Sequence, residues 1–221
     1  MKKIFTLSLS IVFALSAFAQ SNDLKPFSIG FNFGGQAGLT PLETNETPKI
    51  YEPTVFQLNA KGMLNETWGV MLGGNYQFIN TESYDKPTNH IRLFAHGVMN
   101  AGQLMNFESF SESLGMHVHA GIGAGAIWQP GRFPDADSPL FNQADEFFTW
   151  GLGITPYMAI NDQWAVNLDY SYTFHVVQTR PFDMGELQES NGIDASLMTL
   201  TVGVSYHFVF NEDNPYPLLD E

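Results

Sequence analysis

The sequence contains no cysteine among its 221 residues. This absence excludes a disulfide framework, a thiolate metal site and a lipid anchor, which would need a cysteine after the cleavage site of an exported precursor. Basic residues are also scarce, because nine Lys and Arg stand against 23 Asp and Glu, for a formal net charge of −14. This acidic balance argues against nucleic acid as a partner, since binding to phosphates needs a basic surface.

Long apolar runs are missing as well. Beyond the first twenty residues there is no stretch of about 18 apolar residues, so the sequence predicts no membrane-spanning helix. The N-terminus itself has the features of a secretory signal peptide: two lysines, an apolar stretch, and the small-x-small tripeptide Ala-Phe-Ala that ends at residue 19. We therefore expect residues 1–19 to be removed on export and residues 20–26 to form a short periplasmic lead.

Alternating polarity fills most of the remaining chain. Eight segments repeat with a period of two, which is typical of β-strands because successive side chains of a strand point to opposite faces. On one face of each segment the side chains are apolar, glycine or tyrosine. The eight predicted strands are 27–39, 55–64, 68–78, 90–101, 114–128, 147–160, 164–176 and 195–210.

The opposite face of these segments is polar but carries few charges. A soluble sandwich or lipocalin-like barrel shows such a face to water and usually covers it with Lys and Glu. Here the acidic residues lie instead in the connections and the C-terminal tail. A polar face with few charges suits the enclosed interior of a transmembrane barrel whose apolar face meets lipid. The sequence therefore favours an all-β, eight-stranded antiparallel up-and-down barrel in an outer membrane.

Aromatic residues mark the predicted strand ends. The intervals from Trp68 to Phe78 and from Trp164 to Phe174 are ten residues each, which at a rise of about 3.3 Å and a tilt of roughly 45° spans about 23 Å. The aromatic girdles of membrane barrels stand about 25 Å apart. The side chains predicted to lie at the membrane interfaces are Trp68, Phe78, Trp128, Trp150, Trp164, Phe174, Tyr206 and Phe208.

Short and long connections alternate along the chain. The turns at 65–67 and 161–163 are tight, whereas the middle turn at 102–113 is long. The four long connections, rich in Pro, Asn, Asp and Glu, are 40–54, 79–89, 129–146 and 177–194. Since outer-membrane barrels have short periplasmic turns and long external loops, we predict periplasmic termini and external loops that are available to extracellular partners. Pro156 cannot donate to the ladder and predicts a bulge.

Several short motifs carry a family resemblance. The sequence VMNAGQLMNFESF at 98–110, followed by HAGIG at 119–123, resembles the middle of the transmembrane barrel of outer membrane protein A (OmpA) homologues from Bacteroidetes-type bacteria. GLGITP at 151–156 resembles the sixth strand of the same family. The resemblance covers about residues 27–210 and implies an eight-stranded barrel with a long middle turn.

The same family often has a periplasmic peptidoglycan-binding domain after the barrel. Only residues 211–221 follow here, and we interpret them as an acidic periplasmic tail that is too short to fold. The resemblance therefore implies no peptidoglycan-tethering role for this chain.

Charged and imidazole side chains on the polar face form the candidate site. Because buried charges must find partners, we expect a hydrogen-bonded polar network inside the barrel. Its predicted members are Lys61, Arg92, His96, His117, His119, Asp169 and His207. A metal site among the histidines is conceivable, but strand-paired histidines without cysteine and with few carboxylates are weak evidence for a ligand set. We therefore expect neither a metal nor a cofactor.

A catalytic hypothesis uses Asp169, Ser171 and His175, which share one face of the seventh predicted strand. Such a site would suit a hydrolase or acyltransferase that acts on lipid. However, side chains two residues apart on a strand stand roughly 6.6 Å apart, which is too far for a nucleophile–base hydrogen bond within that strand. We therefore expect no catalytic residues.

These observations predict a non-enzymatic integral protein of a Gram-negative outer membrane with a structural or envelope-integrity role. Its partners would be outer-membrane lipid and lipopolysaccharide, together with the barrel-assembly machinery during biogenesis. Two alternatives stay open: an adhesin-like surface-binding protein that acts through its four long loops, and a lipid-modifying enzyme. A general diffusion pore is not expected, because side chains roughly fill an eight-stranded barrel.

Overall fold

The computed structural model describes eight strands and one short helix. The described residues are 27–40, 54–79, 88–105, 111, 113–129, 144–178, 182 and 193–208. The strands are β1 (Phe27–Thr40), β2 (Val55–Met63), β3 (Trp68–Ile79), β4 (Thr88–Asn100), β5 (Leu114–Trp128), β6 (Asp145–Ala159), β7 (Trp164–Gln178) and β8 (Ile193–Phe208). The predicted signal peptide, periplasmic lead, C-terminal tail and most of the long loops lie outside the described residues.

The eight strands form one closed barrel in which each strand pairs antiparallel with its neighbours in chain order. The first and last strands close it, with Phe27 opposite Phe208 and Gly34 opposite Thr201. Closure pairs both edges of the sheet, so their backbone N–H and C=O groups are satisfied without water. The predicted all-β, eight-stranded antiparallel up-and-down barrel is confirmed, and every predicted strand end lies within two residues of the observed one.

The middle turn begins with a short helix, α1 (Ala101–Leu104). The prediction that Ala101 ends a strand is wrong, because the Asn100 side chain accepts a hydrogen bond from the Gln103 backbone N–H at 3.3 Å and caps a helical turn. Gly102 packs against the start of β5 so closely that an added Cβ would stand 2.7 Å from the Met116 backbone nitrogen. Helix α1 is thereby fixed against the end of the barrel.

The bulge predicted at Pro156 is wrong. Pro156 pairs with Met116 in an unbroken β5–β6 ladder. On the β7 side the pairing skips Thr155 and Pro156 and resumes in the same register at Tyr157. The missing N–H of proline therefore interrupts the ladder without the insertion of an extra residue.

Two register shifts occur elsewhere, both at the end of the barrel that carries the long connections. One lies between Gly38 and Thr40 in the β1–β8 pair, and the other lies between His175 and Gln178 in the β7–β8 pair. In the second, Val177 has a φ of 65°, a left-handed conformation that is costly for a β-branched residue. The long-loop end of β7 is therefore the irregular part of the barrel wall.

The outer face of the barrel is apolar and exposed all the way round. Large side chains near the middle of their strands are more than half exposed, as Leu58, Leu93, Ile122 and Val202 show. A continuous apolar surface of this kind is unfavourable in water and marks a surface that another apolar phase covers. Within the described residues no helix is long and apolar enough to cross a membrane, a finding that concerns helices only.

The inner face mixes polar and apolar side chains, although the predicted interior network consists of polar residues only. Phe94 packs with Met71 and Val98, and Phe147 packs with Ile127. A third apolar cluster consists of Phe182, Ala195 and Leu197, with Ile79 packed against it. Bulky side chains such as these fill a narrow barrel opposite the inward-facing glycines of β5 and β6. The polar groups of the interior therefore lie among apolar side chains, since Met71 pairs with His96 and Ile127 pairs with His90.

Candidate functional site

A chain of three side chains crosses the middle of the barrel. The Nε2 atom of His119 lies 3.0 Å from Oδ2 of Asp169, and Nδ1 of His119 lies 2.9 Å from Nδ1 of His96. Because a carboxylate only accepts, His119 donates from Nε2 to Asp169, and in the tautomer with its proton on Nε2 its Nδ1 accepts from Nδ1 of His96. The carboxylate of Asp169 therefore orients the His119 ring, and through it the His96 ring.

Asp169 is the hub of this middle layer. Its carboxylate also accepts hydrogen bonds from the Thr155 hydroxyl at 2.8 Å and from the Ser171 hydroxyl. These partners come from β5, β6 and β7, so three neighbouring strands meet at one side chain. A buried carboxylate with this many donors stays charged and rigidly placed.

Arg92 provides the positive charge of the middle layer. Its guanidinium donates to the Thr173 hydroxyl and lies over the Phe94 ring, 5.3 Å from the ring centroid. The negative charge of Asp169 attracts the positive charge of Arg92, although the two side chains are too far apart to form a direct ion pair. Because β4, which carries Arg92, and β7, which carries Thr173, are not neighbouring strands, this contact spans the lumen.

A second polar layer lies nearer the short turns and contains Lys61. The ammonium of Lys61 donates to Nδ1 of His117 at 3.1 Å, and the His117 ring stacks on Tyr157 with centroids 4.7 Å apart. His207 interacts electrostatically with Lys61 and lines the same cavity, whose wall also includes His119 and Asp169 of the middle layer. The structure therefore divides the seven predicted network members between two layers: Lys61, His117 and His207 in one, and Arg92, His96, His119 and Asp169 in the other.

A third layer near the long loops contains residues that do not belong to the predicted polar network. His90 donates to Gln77 at 2.7 Å, and His175 donates to Gln178 at 2.7 Å. The Phe147 ring stacks against both imidazoles, with centroids 5.3 Å and 4.2 Å away. The position of His90 two residues before Arg92 could have revealed it, because both have the inward parity of β4.

This arrangement lacks the geometry of a hydrolase. The Ser171 hydroxyl donates to Asp169 rather than to an imidazole, so it lacks the serine–histidine hydrogen bond that activates a serine nucleophile. His175, the base in the catalytic hypothesis, is bonded to Gln178 in a different layer. In the described ranges, no three His, Asp or Glu side chains converge as a metal site requires. The polar layers act as internal cross-links between strands.

A glycine beside His119 gives the first testable prediction. A Cβ at Gly153 would stand 2.5 Å from two atoms of the His119 ring and 2.8 Å from the Ser171 hydroxyl. We expect Gly153→Ala to push His119 away from Asp169 and to lower the free energy of unfolding by about 1–3 kcal/mol. Urea titration of the protein in lipid vesicles measures this loss.

The matched control is Gly151→Ala, two residues away on the same inward face. Its added Cβ would approach nothing closer than 3.1 Å, and we expect a loss below that of Gly153→Ala. Equal losses for the two variants would contradict the role of the His119–Asp169 contact.

Most of the predicted interface aromatics lie at or near strand ends on the outer face. Trp68 begins β3, Trp164 begins β7 and Trp128 ends β5. Several of the aromatics contact each other: the Trp150 and Phe174 rings stack with centroids 3.9 Å apart, and Trp164 and Tyr206 meet edge to face at 5.0 Å. The remaining predicted members are Phe78 and Phe208. Their depth in a bilayer stays a prediction.

Bilayer depth can be measured with the tryptophans themselves. In variants that retain one tryptophan and have Phe at the other three positions, we expect lipids brominated near the headgroup end of the acyl chain to quench fluorescence more than lipids brominated near the chain terminus. Aromatic girdles lie at the headgroup level. Stronger quenching by the deep bromines at Trp68 or Trp164 would contradict the interface assignment.

Comparisons with known proteins agree with this architecture. The family model described as "Outer membrane protein beta-barrel domain" matches residues 5–208. Neisserial surface protein A (NspA) is similar in structure with a TM-score of 0.52 and 10% identity, over 82% of this chain and 97% of that one. A major outer membrane protein from Thermus thermophilus has a TM-score of 0.50 and 12% identity, over 83% and 98% of the two chains.

The attachment invasion locus protein Ail of Yersinia pestis gives a TM-score of 0.46 at 16% identity, over 83% of this chain and 99% of that one. At their low identities, the likeness to NspA and to the Thermus thermophilus protein shows the fold alone. No curated protein sequence matches the chain.

Proposed function

Because the chain belongs to the outer membrane protein β-barrel domain family, we propose that it is a structural, non-catalytic component of the outer membrane. In this role the barrel-assembly machinery inserts the barrel into the outer membrane. Lipid and lipopolysaccharide then surround its apolar outer face. The proposal places both termini in the periplasm, since β1 begins and β8 ends on the side of the tight β2–β3 and β6–β7 turns. Such turns are periplasmic in outer-membrane barrels.

The observation that carries this proposal is the cross-linked lumen. Three groups of hydrogen-bonded side chains, with apolar clusters packed among them, extend along the described part of the barrel. The Arg92–Thr173 contact crosses the lumen directly, and the cavity beside Lys61 has a volume of only about 30 Å³. A lumen filled in this way supports a structural role and argues against a diffusion pore.

Conductance measurements test the filled lumen. In planar lipid bilayers the purified protein is expected to give no stable conductance steps under conditions in which a general porin gives them. Folded protein in the sample is verified by the difference in gel mobility between unheated and boiled material. Reproducible large steps from the folded protein would contradict the proposal.

Deletion and complementation test the envelope role. We expect a deletion strain to become more sensitive to detergents and large antibiotics, and a barrel with its four long connections replaced by short turns to restore resistance. Recovery by this variant would locate the envelope role in the barrel body. An unchanged deletion strain would contradict an envelope-integrity role.

A second candidate function is surface binding through the long loops. It is favoured by the position of the four long connections, which all join strands at the end of the barrel opposite the tight turns. This function predicts that loop replacement abolishes adherence to host or matrix surfaces while gel mobility still reports a folded barrel. Adherence that survives replacement of all four loops would exclude it.

A lipid-modifying activity is the remaining alternative, and the site geometry gives it little support. It would appear as an altered lipid A or phospholipid composition after deletion, restored by the wild-type chain. We propose that no such change occurs, because Ser171 and Asp169 are bonded to each other inside the barrel, away from lipid. The narrower similarity to OmpA homologues of Bacteroidetes-type bacteria stays a prediction.

A further inference from the structure

An inward-facing lysine without a counter-charge lies near the short-turn end of the barrel. The Lys61 ammonium donates to Nδ1 of His117, but a neutral imidazole brings no negative charge. Among the described residues no carboxylate lies within ion-pair distance of Lys61. Lys61 is half-buried, and an unpaired charge that is partly withdrawn from water is unfavourable, so a compensating anion would stabilise this position.

The other charges of the lumen do not supply that compensation. Asp169 lies on the wall of the same cavity, but its oxygens already accept from His119, Thr155 and Ser171. Its charge also offsets that of Arg92. Asp145 lies at the far end of the barrel, at the start of β6. Among the described side chains of the lumen, Lys61 is therefore the one formal charge without a partner of opposite charge.

A cavity of about 30 Å³ adjoins Lys61. It is large enough for about two water molecules. Besides Lys61 its wall includes hydrogen-bonding side chains that can donate, namely Asn59, His117, Asn167, Ser205 and His207. All of these residues lie in the half of the barrel that contains the tight turns. The space beside Lys61 is thus small, polar and near one mouth of the barrel.

We propose that this cavity binds a monoatomic halide, with chloride as the natural ligand. The ammonium of Lys61 has three N–H donors, of which His117 takes one. The other two, together with the amide and hydroxyl donors of the wall, coordinate the ion. The bound halide neutralises the charge of Lys61 and stabilises the short-turn half of the barrel. The site is independent of the structural role proposed above and would be compatible with either alternative function.

Thermal unfolding tests the halide site. The midpoint temperature at which the folded gel band of the detergent-purified protein is lost should be higher in chloride or bromide than in gluconate at equal ionic strength. Gluconate is too bulky for the cavity. We expect a difference of about 2–4 °C, because a ligand that binds only the folded state stabilises it. Identical midpoints in all three salts would overturn the proposal.

Two variants locate the effect. Lys61→Met removes the ammonium, and the difference between chloride and gluconate should disappear. Asn75→Leu is the matched control, because Asn75 is an inward-facing polar residue outside the cavity wall whose side-chain amide has no partner, and it should keep the full difference. A Lys61→Met protein that keeps the difference would refute the site.

Crystallography of the wild-type protein gives a readout that does not depend on any variant. Crystals soaked in bromide should show an anomalous peak in the cavity beside Lys61. Density for water alone, without an anomalous signal at saturating bromide, would overturn the proposal even if the salt dependence were observed.

Discussion

Replacement of Leu93 by Arg is expected to lower the free energy of unfolding by about 2–4 kcal/mol, the cost of a cation near the bilayer midplane on the lipid face of a barrel. Leu93 lies in the middle of β4 with its side chain outward and 57% exposed. In water, such an exposed leucine would tolerate arginine with little loss. Urea titration of the protein folded into lipid vesicles measures the difference.

Leu104→Arg is a closely matched control. Leu104 is 62% exposed, about as much as Leu93, but it lies in helix α1 at the short-turn end rather than in mid-strand. We expect its free energy of unfolding to stay within about 0.5 kcal/mol of the wild type. Since both changes convert an exposed leucine to arginine, only the surrounding phase differs. Equal effects at the two positions would show that lipid does not cover the outer face.

Asp169→Ala is expected to have the largest effect inside the barrel, a loss of about 3–5 kcal/mol. The change removes the acceptor of His119, Thr155 and Ser171. It also leaves Arg92 without a compensating charge. Asp169→Asn keeps the shape and one acceptor oxygen but loses the charge, so we expect a smaller loss. The same vesicle titration measures both variants.

Asn167→Ala serves as the control on the same strand and face. Its amide donates one hydrogen bond, to Ser205 at 3.0 Å, so in gluconate buffer, without a halide in the cavity, we expect a loss of about 1 kcal/mol. If Asp169→Ala lowers the free energy of unfolding by no more than Asn167→Ala does, Asp169 is not the central acceptor of the middle layer. A further check adds Arg92→Met to Asp169→Ala, and the double variant should lose less than the sum of the two single losses, because the orphaned charge is gone.

The parity of the strands made the two faces predictable. Arg92, His96, His117 and Asp169 were all assigned to the inner face from alternation alone, and each is less than a tenth exposed. This succeeds because the direction of a strand side chain depends on its own backbone and not on distant neighbours. The same parity rule applied to His90 would have added the third polar layer.

The errors arose where local rules competed with contacts. Ala101 continues the apolar pattern of β4, but the Asn100 cap and the close packing of Gly102 on β5 turn the chain into helix α1. Pro156 lacks an N–H, and the sequence alone does not distinguish a bulge from a skipped hydrogen bond. The β5–β6 ladder keeps its register through the proline, because Thr155 and Tyr157 on either side of it pair with β5 without a shift.

The sequence by itself determined the number of strands, their bounds and which side chains face the lumen, because a period of two is a property of each segment alone. Only the tertiary structure decided which inward side chains meet. His119 and Asp169 are 50 residues apart in the chain, and Arg92 and Thr173 are 81 apart. Such pairs depend on the register in which β8 closes on β1 and on the stagger that this closure imposes on every strand.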